Sequence, residues 1–125
     1  MSTYIDPRHP NRHDSYDDIP YDVVQYLHYL EVVKARSART ANGYYIDLRN
    51  FFRFLVRMRD HLDIPLNEIS ILHLNKDFYE KITKAEIYEY IYYLQSDCGN
   101  GKAAITRKLA SIHGFFHYMV VEMAL

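Results

Sequence analysis

The stretch from Ser37 to Arg59 constrains this chain more than any other. Ala41, Tyr44, Tyr45, Leu48, Phe51, Phe52, Leu55 and Met58 recur every three or four residues, the spacing that lines one side of an α-helix. Ser37 stands where an N-cap hydroxyl accepts from the first free amides of a helix. No segment alternates apolar and polar residues for long enough to make a half-buried strand, and no internal repeat or low-complexity tract stands out. A long helix that is apolar along one side must find other helices to bury against.

The chain offers three. Asp17-Asp18-Ile19-Pro20 sets acids and a proline at a helix start, and Val23, Val24, Leu27, Leu30 and Val33 follow at helical spacing. This predicts a first helix over about 20–35. Thr83-Lys84-Ala85-Glu86 has the form of a capping box, in which hydroxyl and carboxylate satisfy free amides, ahead of Ile87, Tyr90, Ile91 and Leu94. That third helix should end at Gly99. The turn Gly99-Asn100-Gly101 leads into a last helix with Ile105, Leu109, Ile112, Phe116 and Met119 in register. Between the second and third helices, residues 60–82 carry Ile64-Pro65 and scattered apolar residues without sustained period, a packed connection with room for a short helical turn.

The expected fold is therefore all-α, a compact bundle of four main helices with a long packed connection between the second and third. Pro7, Pro10 and the lack of periodic apolar positions make residues 1–18 a flexible leader, with one domain over 19–122. The apolar runs are far shorter than the roughly 18 residues a membrane crossing needs. No basic stretch precedes an apolar core at the start, so a cytoplasmic location is expected. The single cysteine, Cys98, can form no internal disulfide and is read as a reduced thiol.

A formal charge of −1 hides a strongly uneven distribution. Residues 34–59 hold seven bases against one acid and residues 102–125 three against one, while 1–33 and 60–101 are acidic. At about 100° per residue, Arg39, Gly43, Asn50, Arg53 and Arg57 fall opposite the apolar side of the second helix. On the last helix, Ala103, Arg107, Ala110, Ser111, Gly114 and Tyr118 fall opposite its stripe. Small residues beside a base let a helix backbone approach a phosphate chain, and they equally let another helix close in.

The run Ser37-Ala38-Arg39-Thr40-Ala41-Asn42-Gly43-Tyr44-Tyr45-Ile46-Asp47-Leu48-Arg49-Asn50-Phe51-Phe52-Arg53-Phe54-Leu55 closely resembles S-x-x-T-x-x-x-Y-x-x-D-L-x-x-F-x-x-F-L, a signature of tyrosine recombinases that marks their N-terminal, SAM-like core-binding domain. Arg107-Lys108-Leu109-Ala110-Ser111-Ile112-His113, followed by Phe115-Phe116-His117-Tyr118, is similar to that family's closing R-R-L-S-A-L-R-x-F-F-x-Y. The resemblance covers about residues 20–121, and the long 60–82 connection is similar to a variant in Xer- and integrase-type relatives from low-GC bacteria. Two departures stand out. Gly101-Lys102-Ala103-Ala104 replaces a frequent S-x-R-T, and His113 replaces a frequent base.

The resemblance implies a DNA-binding domain that closes with a C-terminal catalytic domain as a clamp around a recombination half-site, its second and fourth helices on the DNA. The implied partners are double-stranded DNA, the catalytic domain of the same parent chain and the other protomers of a tetramer on DNA. The implied DNA contacts are Ser37, Arg39, Thr40 and Arg53 from the second helix, and Lys102, Thr106 and Arg107 from the last. The family's catalytic set is an Arg, a Lys, an H-x-x-R pair, a further His or Trp, and a Tyr that attacks the scissile phosphate. None of it is placed here: His9-Pro10-Asn11-Arg12 spells H-x-x-R, but within the leader. The fragment is thus expected not to be an enzyme by itself, and to need no cofactor or metal.

Rival readings are thinner. His113 and His117 lie four apart on a helix, yet no third metal ligand is near. The acids form solvated faces without a catalytic spacing. A helical protein–protein module is the alternative that stands, because the small face of the last helix and the tyrosines Tyr88, Tyr90, Tyr92 and Tyr93 would suit a partner helix.

Overall fold

A computed structural model of the chain describes residues 16–123. It contains α1 (Tyr21–Val32), α2 (Ala38–Arg59), α3 (Lys76–Glu80), α4 (Lys84–Ser96) and α5 (Lys102–Val121), with a 3-10 turn at Leu66–Glu68. No strand occurs among the described residues. The all-α bundle of four main helices is as expected, and the long connection condenses into the 3-10 turn and the short α3.

Local chemistry sets the helix starts. The Thr40 amide donates to Ser37 Oγ at 3.1 Å. At α4 the Glu86 amide donates to Thr83 Oγ1 at 3.2 Å, and the Thr83 amide donates to Glu86 Oε1 at 2.9 Å, which closes the capping box. α1 ends where Ala35 takes a left-handed φ of 53°. The amides of Lys34 and Arg36 then turn back to the carbonyls of Tyr29 and Leu30.

Helix α2 is the central element, packed against α1, α4, α5 and the 3-10 turn. Leu48, Phe51, Phe52 and Leu55 are fully buried. Aromatic rings fill much of the space around them. Phe115 of α5 meets Phe52 and Tyr79 edge-on, at 5.7 and 5.2 Å between centroids, and Tyr90 of α4 meets Phe51 at 5.1 Å. Such pairs add about 0.5–1.5 kcal/mol each beyond the area they bury. Burial also raises the hydroxyl pKa of Tyr26, Tyr45, Tyr79 and Tyr90 well above the usual value.

Two expectations change. Residues 1–15 of the leader lie outside the described residues, but Tyr16 is buried in the core. Asp18 accepts from Tyr45 Oη at 2.7 Å and from Arg49 at 2.9 Å, so the end of the 1–18 segment belongs to the fold.

Half of the side of α5 predicted to face away from its stripe is packed, through Ser111, Gly114 and Tyr118. Ser111, Ile112, Phe115, Tyr118 and Met119 are buried, while Leu109 and Phe116 are half-buried. Gly114 explains the rotation. A Cβ there would collide with the Tyr26 hydroxyl, so the missing side chain lets α1 and α5 close together. Of the predicted outer set, Ala103, Ala110 and Arg107 remain exposed. At Ser111 and Gly114 the guest that the small residues accommodate is this chain's own α2 and α1.

Candidate nucleic-acid interface

The basic side of α2 is divided in two by the connection that follows it. In the C-terminal half, Arg53 donates through Nε to the Ile69 carbonyl at 3.2 Å and lies 3.9 Å from Asp18; its side chain is only 12% exposed. Arg57 donates to the Ile64 carbonyl at 3.4 Å and stands over the Tyr93 ring. Arg59 grips Glu86 through two hydrogen bonds of 2.6 and 2.8 Å, and this holds the Glu86 carboxyl below the usual carboxylate range. Arg49 is held by Asp18. Four of the five arginines of α2 therefore fasten α2 to its neighbours. The outward course expected for Arg53 and Arg57 fails because residues 60–75 fold over that half of the helix.

The N-terminal half stays open. Arg39 and Thr40 are exposed, Gly43 and Asn50 are half-buried, and Ile46 is 39% exposed. Ser37 is engaged as the cap and also donates its hydroxyl to Thr40 Oγ1 at 3.1 Å.

A buried carboxylate joins this open face to α5. Asp47, 1% exposed, accepts from Arg107 Nη1 at 2.8 Å and from Ser111 Oγ at 2.7 Å on the same oxygen, with Lys108 Nζ 3.7 Å from the other. Two cations and a hydroxyl offset the charge that burial would otherwise disfavour, although Oδ1 accepts no hydrogen bond among the described residues. Arg107 is 57% exposed, so one nitrogen is pinned at the α2–α5 seam while the rest of the guanidinium faces solvent. Its fork geometry suits a second, outward acceptor such as a phosphate.

Lys34 and Arg36, exposed in the turn between α1 and α2, line a cleft of about 210 Å³ with Tyr44, Gly114 and His117. They were not among the expected contacts, although both lie in the basic 34–59 segment. Lys102 is exposed at the first position of α5, whose N-cap, Gly101, supplies no side chain to its free amides. Thr106 is exposed on the opposite flank of α5, where it lines a groove of about 560 Å³ with Ile82, Ile87, Leu109 and Phe116.

The structure thus gathers Ser37, Arg39 and Thr40 in one turn and ties Arg107 to α2. Lys102 and Thr106 lie on α5 away from that seam, and Arg53 is folded inward. His113 and His117 are exposed, and no group of three or more metal-ligating side chains occurs among the described residues. Cys98 is exposed and free. No helix of the described residues is long and apolar enough to cross a membrane.

Comparison with known proteins fits this architecture. The chain is 36% identical over 97 residues to tyrosine recombinase XerC of Caldanaerobacter subterraneus subsp. tengcongensis, which covers 76% of this chain and 28% of that relative. It is 25% identical over 104 residues to tyrosine recombinase XerD of Oceanobacillus iheyensis, covering 83% of this chain and 30% of the relative. The chain therefore spans less than a third of the length of these curated relatives. No solved structure matches it significantly. Residues 23–123, which hold nearly all of the helical bundle described above, match the family model of the phage integrase N-terminal SAM-like domain, and the chain belongs to that family.

Proposed function

We propose that this domain is the DNA-binding clamp half of a site-specific tyrosine recombinase, laying α2 and α5 against the double-stranded DNA of a recombination half-site. The observation that carries the reading is the open basic start of α2, joined through Asp47 to the outward guanidinium of Arg107. Arg39, Thr40, Lys102 and Arg107 contact phosphates, with Lys34 and Arg36 extending the same surface. Ser37 holds Thr40 in place, Thr106 touches the DNA from the outer flank of α5, and Arg53 acts indirectly by fixing the course of α2. Such contacts position a protein on DNA without reading sequence.

Cleavage and rejoining through a phosphotyrosyl link belong to the catalytic domain of the parent chain, so this fragment alone is not an enzyme. Its other partners are that catalytic domain and the neighbouring protomers of a tetramer on DNA, in the cytoplasm. Two relatives named as tyrosine recombinases, matched over a span of the size of one domain, support this assignment.

Fluorescence anisotropy of a labelled duplex tests the proposal. Affinity on the order of 10⁻⁴ to 10⁻⁶ M is expected at physiological salt, rising steeply as salt is lowered. An Arg39→Ala/Arg107→Ala double variant of unchanged helicity should lose most of it. Absence of binding at low salt by a folded chain would overturn the proposal. The second reading, a helical protein–protein module, draws on the groove beside Leu109 and Phe116, and it would show binding to a helical partner with shallow salt dependence.

A further inference from the structure

Gly43 sits in the interior of α2, and its absent side chain serves nothing within the fold. A Cβ built there meets nothing within 4 Å beyond its chain neighbours and the backbone of its own helical turn, whereas the same construction at Gly114 collides with Tyr26. Glycine inside a helix is destabilising relative to alanine. The fold would gain from a methyl group at position 43, so its omission has to be understood from outside the fold, as room for something that comes close to the backbone of α2.

The neighbours of Gly43 indicate what that is. Arg39, Gly43, Ile46 and Asn50 follow the i, i+4, i+7, i+11 spacing that makes one ridge along a helix. Arg39 and Ile46 on this strip are exposed, and Gly43 and Asn50 are half-buried. Ile46 is a large apolar side chain, 39% exposed, in the middle of that polar strip. Asn50 is half-buried, and its amide makes no hydrogen bond among the described residues. Cations flank the ridge, Arg39 at its start and Arg107 at the seam beside it. Charged ends with uncharged residues between them suit a helix that grips two phosphate strands and presents its centre to base edges.

We infer that Gly43, Ile46 and Asn50 form the base-reading ridge of the domain, an inference that rests on the DNA-binding reading above and adds sequence preference to it. Gly43 is the point of closest approach to the major groove. Asn50 pairs its amide with the N6 and N7 edge of an adenine, and Ile46 packs on a thymine methyl. Four residues of helix rise about 6 Å, close to two base-pair steps of about 3.4 Å, so the two side chains read two A·T pairs about two steps apart.

The test is in vitro selection of duplexes from a randomised pool by the 125-residue chain, followed by affinity and thermal melting of three single variants. The wild type should enrich two A·T pairs at that spacing. Asn50→Ala should lose about 5- to 150-fold of the discrimination at one of the two positions, with phosphate-driven binding intact. Gly43→Ala should move two readouts in opposite directions. It should raise the melting temperature by about 2–5 °C and weaken binding to all duplexes by at least about fivefold. A merely structural glycine would not do this.

Arg39→Ala separates the two levels of the argument. If it weakens binding and reduces the salt slope by about 1, while Gly43→Ala and Asn50→Ala leave affinity and selected sequence unchanged, the ridge is refuted and the DNA-facing surface stands. If no variant and no wild type binds DNA at low salt, both fall.

Discussion

The contact between Gly114 and Tyr26 can be tested with one methyl group and one oxygen. A Cβ on Gly114 would collide with the Tyr26 hydroxyl, while the next atoms, Tyr26 Cζ and Tyr44 Cε2, lie 3.6 and 3.7 Å away, at ordinary van der Waals distance. Tyr26 cannot swing aside easily. It is 3% exposed, and its ring is packed against Tyr44, Phe115 and Tyr118 at 6.3, 5.7 and 5.1 Å.

Gly114→Ala therefore combines a helix-propensity gain of about 0.5–1 kcal/mol with an overpacking cost of about 1–3 kcal/mol. A net destabilisation of about 1–2 kcal/mol is expected, or about 4–8 °C in melting temperature. In a Tyr26→Phe background the colliding oxygen is gone, so the same substitution should stabilise by about 0.5–1 kcal/mol. The hydroxyl makes no hydrogen bond among the described residues, which leaves Tyr26→Phe alone close to neutral. Urea unfolding followed by circular dichroism on all four chains closes the cycle, with an expected coupling of about 1–3 kcal/mol. An effect of Gly114→Ala that has the same sign and size in both backgrounds would refute the close α1–α5 approach, and with it the rotation of α5 that turns Ser111 and Tyr118 inward.

Two further outcomes follow from the titrating groups. Burial raises the pKa of Tyr26, Tyr45, Tyr79 and Tyr90. Above pH ~10 the unfolded chain loses these protons and the folded chain keeps them, so stability that is complete below that pH falls as pH rises, by about 1.4 kcal/mol per unit for each tyrosine. Helix signal and tyrosinate absorbance should change together in alkali; tyrosines that ionise at their ordinary pH in an intact helical fold would contradict their burial. The Arg59 hydrogen bonds lower the Glu86 pKa, so Glu86 contributes stability above about pH 4.3 that is lost as pH falls through its folded value. Glu86→Gln should cost about 1.5–3 kcal/mol at neutral pH, a deficit that shrinks in acid, and a pH-independent deficit would show that the ion pair contributes nothing.

The sequence disclosed what is local. The Ser37 cap, the Thr83/Glu86 box and most of the apolar rows of α1 and α2 depend on neighbours within a few residues and form as the spacing implies; the exception is Val33, which falls past the end of α1 and is exposed, while Tyr26, outside the expected row, is buried. What it concealed depends on contacts across the chain. Arg39, Arg53 and Arg57 share one side of α2, and nothing in that spacing says that a segment ending some twenty residues later will fold over two of them. On α5, Ser111, Gly114 and Tyr118 have a polar or small character that suggests an outer face. Their burial follows from the carboxylate of Asp47 and the ring of Tyr26 on other helices.

The same division sorts the recombinase-like run itself. Its matched positions include Ser37, which caps α2, Asp47, which bridges to α5, and Leu48, Phe51, Phe54 and Leu55, which fill the core. Arg39, Gly43, Ile46 and Asn50 all fall on its unmatched positions. Apart from the exposed Thr40, which is assigned a phosphate contact and so reads no base, these matched residues account for the scaffold, so a signature of this kind identifies the helix that would be laid on DNA without specifying what that helix reads. Sequence preference, if α2 carries it, has to reside in residues that such a pattern leaves free, and the proposed ridge of α2 is made of them.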